Sequence, residues 1–120
     1  MDNREFAAVL EKRTRDFAVQ IIRLSSILPN TPEARIIRNQ ITKSGTSLGA
    51  NYREANRSRS RAEFSSRIKI CESEASETLY WLEVINDVGW ISRDRIKPVY
   101  QECSELLAVF SSIGRGGRSA

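Results

Sequence analysis

Residues 44–64 read SGTSLGANYREANRSRSRAEF, and they contain the end of one helix, a short link and the start of the next. Ser44, Leu48, Asn51, Tyr52 and Ala55 recur at three- and four-residue steps, the spacing of one helical face. Upstream, Ile37 and Ile41 continue that face, and Thr31-Pro32 supplies a capping hydroxyl followed by proline at the first helical position. Downstream, residues 56–59 form a polar link. Ser60-Arg61-Ala62-Glu63 then has the spacing of a capping box, which starts a third helix burying Phe64, Ile68, Cys71, Ala75, Leu79 and Leu82 and ending near Gly89. Working outward, a first helix over residues 3–28 carries Phe6, Leu10, Phe17, Ile21, Leu24 and Leu28, and Pro29-Asn30-Thr31-Pro32 stops it. Ser92 caps a fourth helix whose inner face is Val99, Cys103, Leu106, Phe110 and Ile113, with Pro98 expected to kink its first turns slightly. Nothing alternates as a strand would. The pattern predicts an all-α protein: an antiparallel up-down-up-down four-helix bundle in one domain over residues 1–113, with 114–120 as a flexible C-terminal tail.

Composition narrows the function. The chain has 120 residues and no histidine, which removes the usual general base, the usual zinc ligand and every Ser/His or Cys/His nucleophile pair. Cys71 and Cys103 sit on apolar helix positions outside any CxxC spacing, so buried free thiols in a reducing cytoplasm are expected. No apolar run approaches the ~20 residues that span a bilayer, and the opening MDNREF lacks the order of a signal peptide. The expectation is a cytoplasmic protein, no enzyme, with no cofactor or metal and no membrane partner.

The charges fall in blocks. Between Arg35 and Lys69 nine Lys/Arg stand against only Glu54 and Glu63, whereas residues 70–92 hold five acids and no base. The net charge of +4 therefore conceals a strongly basic segment, which suggests a polyanionic partner. Seven of the nine bases are arginine, the residue suited to bidentate phosphate contact. Arg35, Arg53 and Arg57 share one side of the second helix. Arg35 and Arg53 are spaced about 27 Å apart by helical rise, with Asn39, Thr42, Thr46, Gly49 and Ala50 between them as a low-relief strip that a phosphate backbone could approach. Arg57, Arg59 and Arg61 cluster in the link and the next turn, and Arg67 follows. Tyr52 and Phe64 point to the core, so backbone and shape recognition of RNA or DNA is expected rather than base stacking.

The third helix carries more apolar surface than a bundle needs. Ile70, Trp81, Val84 and Val88 form a second arc away from the core side, which marks a subunit interface, although a Trp lying partly exposed over a neighbouring helix is the blander alternative. Glu77 lies on the same arc. If buried it must be paired, as must Asn51 on the second helix, with Glu54 one turn along. Paired carboxylates can serve acid/base chemistry. Without a histidine, a metal cluster or a glycine-rich phosphate loop, a structural role that fixes helix or subunit geometry is the stronger reading.

The order FAVQIIRLSSILP, QITKSGTSLGANYREANRSRSRAEF and KICESEASETLYWLEVI resembles the small four-helix proteins encoded in intervening sequences of bacterial 23S ribosomal RNA genes. The resemblance runs from Phe6 to about Ile113 and is most specific in SLGANYREA (residues 47–55) and EASETLYWLE (residues 74–83). The implied fold resembles that of the accessory variability protein of diversity-generating retroelements, which works beside a reverse transcriptase. The resemblance implies a left-handed antiparallel bundle that assembles as a homopentamer, binds nucleic acid and has no established enzymatic activity. Its Asn-x-x-Glu falls on Asn51 and Glu54, and its third-helix acid on Glu77. The rival expectation is a protein-interaction scaffold whose basic face docks an acidic partner such as a reverse transcriptase or a ribosome-associated factor.

Overall fold

Each helix begins and ends where its local chemistry dictates. In the computed structural model, which describes residues 1–116, four helices follow one another: α1 (Asn3–Ser25), α2 (Pro32–Ala55), α3 (Arg61–Val88) and α4 (Arg93–Gly114). Asp2 caps α1 by accepting from the Glu5 amide, Thr31 caps α2 by accepting from Ala34, and Ser60 caps α3 by accepting from Glu63. The second arm of the α3 box is shifted by one residue. Glu63 Oε2 accepts the Arg59 amide at 3.0 Å instead of that of Ser60, which ties the link itself to the helix. Gly89 ends α3 at φ 83°, a left-handed conformation that glycine adopts without strain.

Two boundaries and one cap differ from expectation. α1 stops at Ser25 instead of continuing to residue 28: the next amides bond only three residues back, Ile27 to Leu24 and Leu28 to Ser25, and Arg38 on α2 also donates to the carbonyls of Ser25, Leu28 and Pro29. Ser92 stands at the start of α4, yet its side chain makes no capping bond. The loss of Ser60 by S60A should therefore cost about 1 kcal/mol and that of Ser92 by S92A only a few tenths, a contrast that urea denaturation of the two variants would measure. α4 runs unbroken past Pro98 through Gly114, and Arg115 and Gly116 continue as a hydrogen-bonded turn. The rest of the expected tail, residues 117–120, lies outside the described residues.

α1 packs on α2, α2 on α3, α3 on α4, and α4 closes on α1, while the diagonal pairs make no backbone approach within 8 Å. The result is one globule of 44 × 24 × 20 Å. Phe17, Ile21, Ile41, Leu48, Ile68, Leu82, Ile85, Leu106 and Phe110 are fully buried at its centre. Across the diagonal, Tyr52 meets Phe110 edge-on with ring centroids 5.5 Å apart. On α3 the inward face is Ile68, Cys71, Ala75, Thr78, Leu82 and Ile85, whereas Phe64 and Leu79, both expected inside, are half-buried. Thr78 is tolerated at the centre because its hydroxyl lies 2.8 Å from both Ser44 Oγ and the Glu74 carbonyl oxygen.

The two thiols are part of this core. Cys71 donates to the Leu48 carbonyl and Cys103 to that of Ala75, and burial pushes each up to about 12. Both stay protonated across the neutral range and are unavailable as thiolate nucleophiles.

α1 and α4 are joined at the surface by a fork. Arg13 donates through Nε and Nη2 to Glu102, each at 2.7 Å, and through Nη2 to Glu105 at 2.8 Å. This bidentate geometry was not legible from spacing, because the partners lie at opposite ends of the chain. No helix among the described residues is long and apolar enough to cross a membrane.

Candidate nucleic-acid interface

The arginines of the basic segment divide into those engaged in the fold and those left free. Arg38 is engaged by the carbonyls of Ser25 at the end of α1 and of Leu28 and Pro29 in the turn after it. Arg35 is exposed and reaches Asn30 Oδ1 at 3.3 Å. Arg53 is exposed but lies 3.6 Å from Glu11 on α1, which also accepts from Asn56 Nδ2 at 2.9 Å. Glu11 thus neutralises part of Arg53 and pins the last turn of α2 to α1, a pairing that adjacency in sequence could not reveal. Arg67 is half-buried on α3.

Arg57, Arg59 and Arg61 are exposed, and none of their side chains forms an ion pair or hydrogen bond among the described residues. They occupy alternate positions through the α2–α3 link, where the backbone is held by Glu63 and Ser60 from one side and Glu11 with Asn56 from the other. Three guanidiniums therefore stand on a fixed turn with no protein carboxylate bound to them.

Of the expected low-relief strip, Asn39 and Ala50 are exposed, whereas Thr42 and Gly49, with the neighbouring Gly45, turn toward α1. A Cβ on Gly45 would lie 2.8 Å from two Ile21 carbons, and one on Gly49 would lie 3.0 Å from Thr14 Oγ1. Thr42 meets Ser25 Oγ at 3.2 Å. These residues face α1 and let the two backbones approach, so their smallness serves helix packing. What remains beside them is a groove of about 280 Å³ lined by Glu11 and Glu54 as well as Arg15 and Arg53, which is mixed in charge. The exposed arginines of the segment that make no side-chain hydrogen bond or ion pair among the described residues are thus those of the link.

A niche of about 340 Å³ opens at that link, lined by Ala55, Asn56, Ser58, Arg59, Ser60, Arg61 and Phe64. Two of these residues carry side-chain oxygens, Asn56 Oδ1 and Ser58 Oγ, that are closed off from solvent and meet no partner in good hydrogen-bond geometry among the described residues. Each such atom costs about 1–3 kcal/mol relative to a satisfied one. Sequence reasoning missed both, since an orphaned polar atom is a property of packing.

On the second arc of α3, Ile70 is 43% and Val88 54% exposed, and Tyr80 beside them is 56% exposed. Trp81 and Val84 are half-buried. Trp81 Nε1 donates to Glu77 Oε2 at 3.0 Å, so the carboxylate is held by a residue of its own helix. Asn51 is half-buried and donates to the Ser47 carbonyl, again within its helix, and Glu54 is exposed.

The fold and this surface define a class: small all-α proteins of four helices carrying a basic inter-helix link. The chain belongs to the 23S rRNA-intervening sequence protein family, whose pattern it matches over residues 8–112. It is also similar to a crystal structure from Bacteroides thetaiotaomicron described as a protein with unknown function from the S23 ribosomal protein family. The identity is 35% and the TM-score 0.82, over 88% of this chain and 97% of that one. No curated protein matches.

Proposed function

We propose that this chain is a non-enzymatic, cytoplasmic, homo-oligomeric bundle that binds structured RNA or DNA through the α2–α3 link. The observation that carries the reading is the set of three exposed guanidiniums, Arg57, Arg59 and Arg61, free of ion pairs on a braced turn. Arg35, Arg53 and Arg67 flank them and extend the positive field. Phosphate oxygens are the natural partners of unpaired arginines, and such contacts position a nucleic acid without reading its sequence. Loss of binding to a structured RNA in the variant carrying R57A, R59A and R61A tests this assignment.

The helices are read as antiparallel and up-down-up-down. Gly45 meets Ile21 whereas Gly49 meets Thr14, Ser44 meets Thr78 whereas Leu48 meets Cys71, and Glu83 meets Tyr100 whereas Glu72 meets Ser111, which supports opposite directions for successive helices. The exposed apolar residues Ile70 and Val88, with Trp81, Val84 and Glu77 along the same arc, support self-association, for which a pentamer is the proposed number. Several copies would multiply the link sites and convert weak single contacts into avidity. Trp81→Ala is expected to shift the assembly toward monomer, read as a fall in mass by light scattering. An assembly of unchanged mass in a folded W81A variant would remove this arc from the interface.

A further inference from the structure

The packing of α4 on α3 brings two basic residues, far apart in sequence, beside the α2–α3 link. A Cβ on Gly114 would lie 3.9 Å from Ile68 Cγ2, and Ser111 Oγ donates to Glu72 Oε2 at 2.5 Å, so the end of α4 lies against the second and third turns of α3. Lys69 and Arg115, each one residue beyond the Ile68–Gly114 contact, therefore stand at one level on neighbouring helices. Arg115 is held in place by its backbone: its amide bonds to the carbonyls of Ser111 and Ser112, and the next amide bonds to that of Ile113. Both side chains are exposed, and neither forms an ion pair or hydrogen bond among the described residues. Arg61 lies eight residues before Lys69 on α3, about 12 Å along the axis and about 80° around it. The exposed Ser65 stands between them and adds little relief. Beyond Lys69 the seam between α3 and α4 turns acidic, since the depression that Lys69 lines is also lined by Glu72 and Glu77.

We infer that the link and the end of α4 form one continuous surface for a nucleic-acid strand, which passes from Arg57, Arg59 and Arg61 along the first turns of α3 and ends on Lys69 and Arg115. This rests on the reading of the link as a nucleic-acid site and extends that site to a second segment of the chain. A strand carries one phosphate per about 3.4 Å of helix axis, so the 12 Å step from Arg61 to Lys69 spans about three of them. A lysine offers a point charge and an arginine a fork, and both suit phosphate oxygens. All five groups are exposed, so a strand reaches them on the surface of the fold as it stands. Glu72 and Glu77 repel a strand that would continue up the seam, and charge thereby sets both the path and its end. Contacts of this kind place the strand without reading its bases.

The test measures binding of a labelled RNA hairpin by fluorescence anisotropy across a salt series, using wild type, the variant carrying K69A and R115A, and a control carrying R93A and K97A. Arg93 and Lys97 are exposed at the start of α4, the end remote from Arg115, and their loss changes the net charge equally. Two phosphate contacts are worth about 1.5 in the slope of log affinity against log salt. K69A with R115A should flatten the slope by about that much and weaken binding on the order of tenfold, whereas the control should bind nearly as wild type does. The charge-preserving pair K69R and R115K should retain the wild-type slope. K69A with R115A should also melt nearly as wild type does; a clear fall would contradict the reading of both side chains as free and overturn the inference. If K69A with R115A keeps the wild-type slope while the variant carrying R57A, R59A and R61A loses binding, the inference falls and the link reading stands. Equal losses in K69A with R115A and in the control would show a response to net charge alone and overturn it as well. If wild type does not bind the hairpin, the link reading falls and the inference with it.

Discussion

Replacing Gly45 with valine should destabilise the protein by about 3 kcal/mol, read as a large fall in the urea midpoint with little change in slope. The reason lies in the α1–α2 contact. The first carbon added at Gly45 would sit 2.8 Å from both Ile21 Cγ1 and Cγ2 and 3.1 Å from Ile21 Cβ. Ile21 is wholly buried and cannot swing away without disturbing the layer around Phe17 and Ile41. A helical glycine normally loses up to about 1 kcal/mol relative to alanine through backbone entropy. Here that gain is smaller than the overlap, and valine adds two further carbons to it. Gly114 provides the control, since a Cβ there would meet only Ile68 at an ordinary 3.9 Å. Gly114→Ala should leave stability within about 0.5 kcal/mol of wild type. If G45V were as stable as G114A, the close approach of α1 and α2 would not be what the small residues are for.

Removing Arg57, Arg59 and Arg61 together should weaken binding to a structured RNA on the order of 100-fold and leave thermal stability nearly unchanged. The three side chains contribute no ion pair or hydrogen bond to the fold among the described residues, so their loss costs little internally. Arg53 makes a less incisive probe. R53A also breaks the approach to Glu11 at 3.6 Å and frees a carboxylate beside the link, which mixes a lost contact with a new repulsion. A triple variant that bound as tightly as wild type would move the site elsewhere on the surface.

How much was legible in the sequence depended on whether the determinant was local. The caps at Thr31 and Ser60, the αL glycine at 89 and the inner face of α4 are set by neighbours three or four residues away, and they are where periodicity places them. The end of α1 was misjudged because the turn after it is held by Arg38, ten residues beyond Leu28, which donates to the Ser25 and Leu28 carbonyls. Thr78 escaped the predicted core because its polarity is cancelled by Ser44 on another helix. The same distinction applies at the surface. Charge counting located the basic segment but could not see that Glu11 reaches Arg53, or that Gly49 and Thr42 turn toward α1. It therefore could not tell the arginines engaged in the fold from those left free, and it missed the niche at the link.

The most direct measurement is the salt dependence of wild-type binding to a labelled RNA hairpin. Guanidiniums at Arg57, Arg59 and Arg61 that each neutralise a phosphate predict a plot of log affinity against log salt with a slope of at least about −2. That slope should flatten toward zero in the variant carrying R57A, R59A and R61A. A flat slope for wild type, or no binding at low salt, would contradict the account and leave the basic link as a docking surface for an acidic protein.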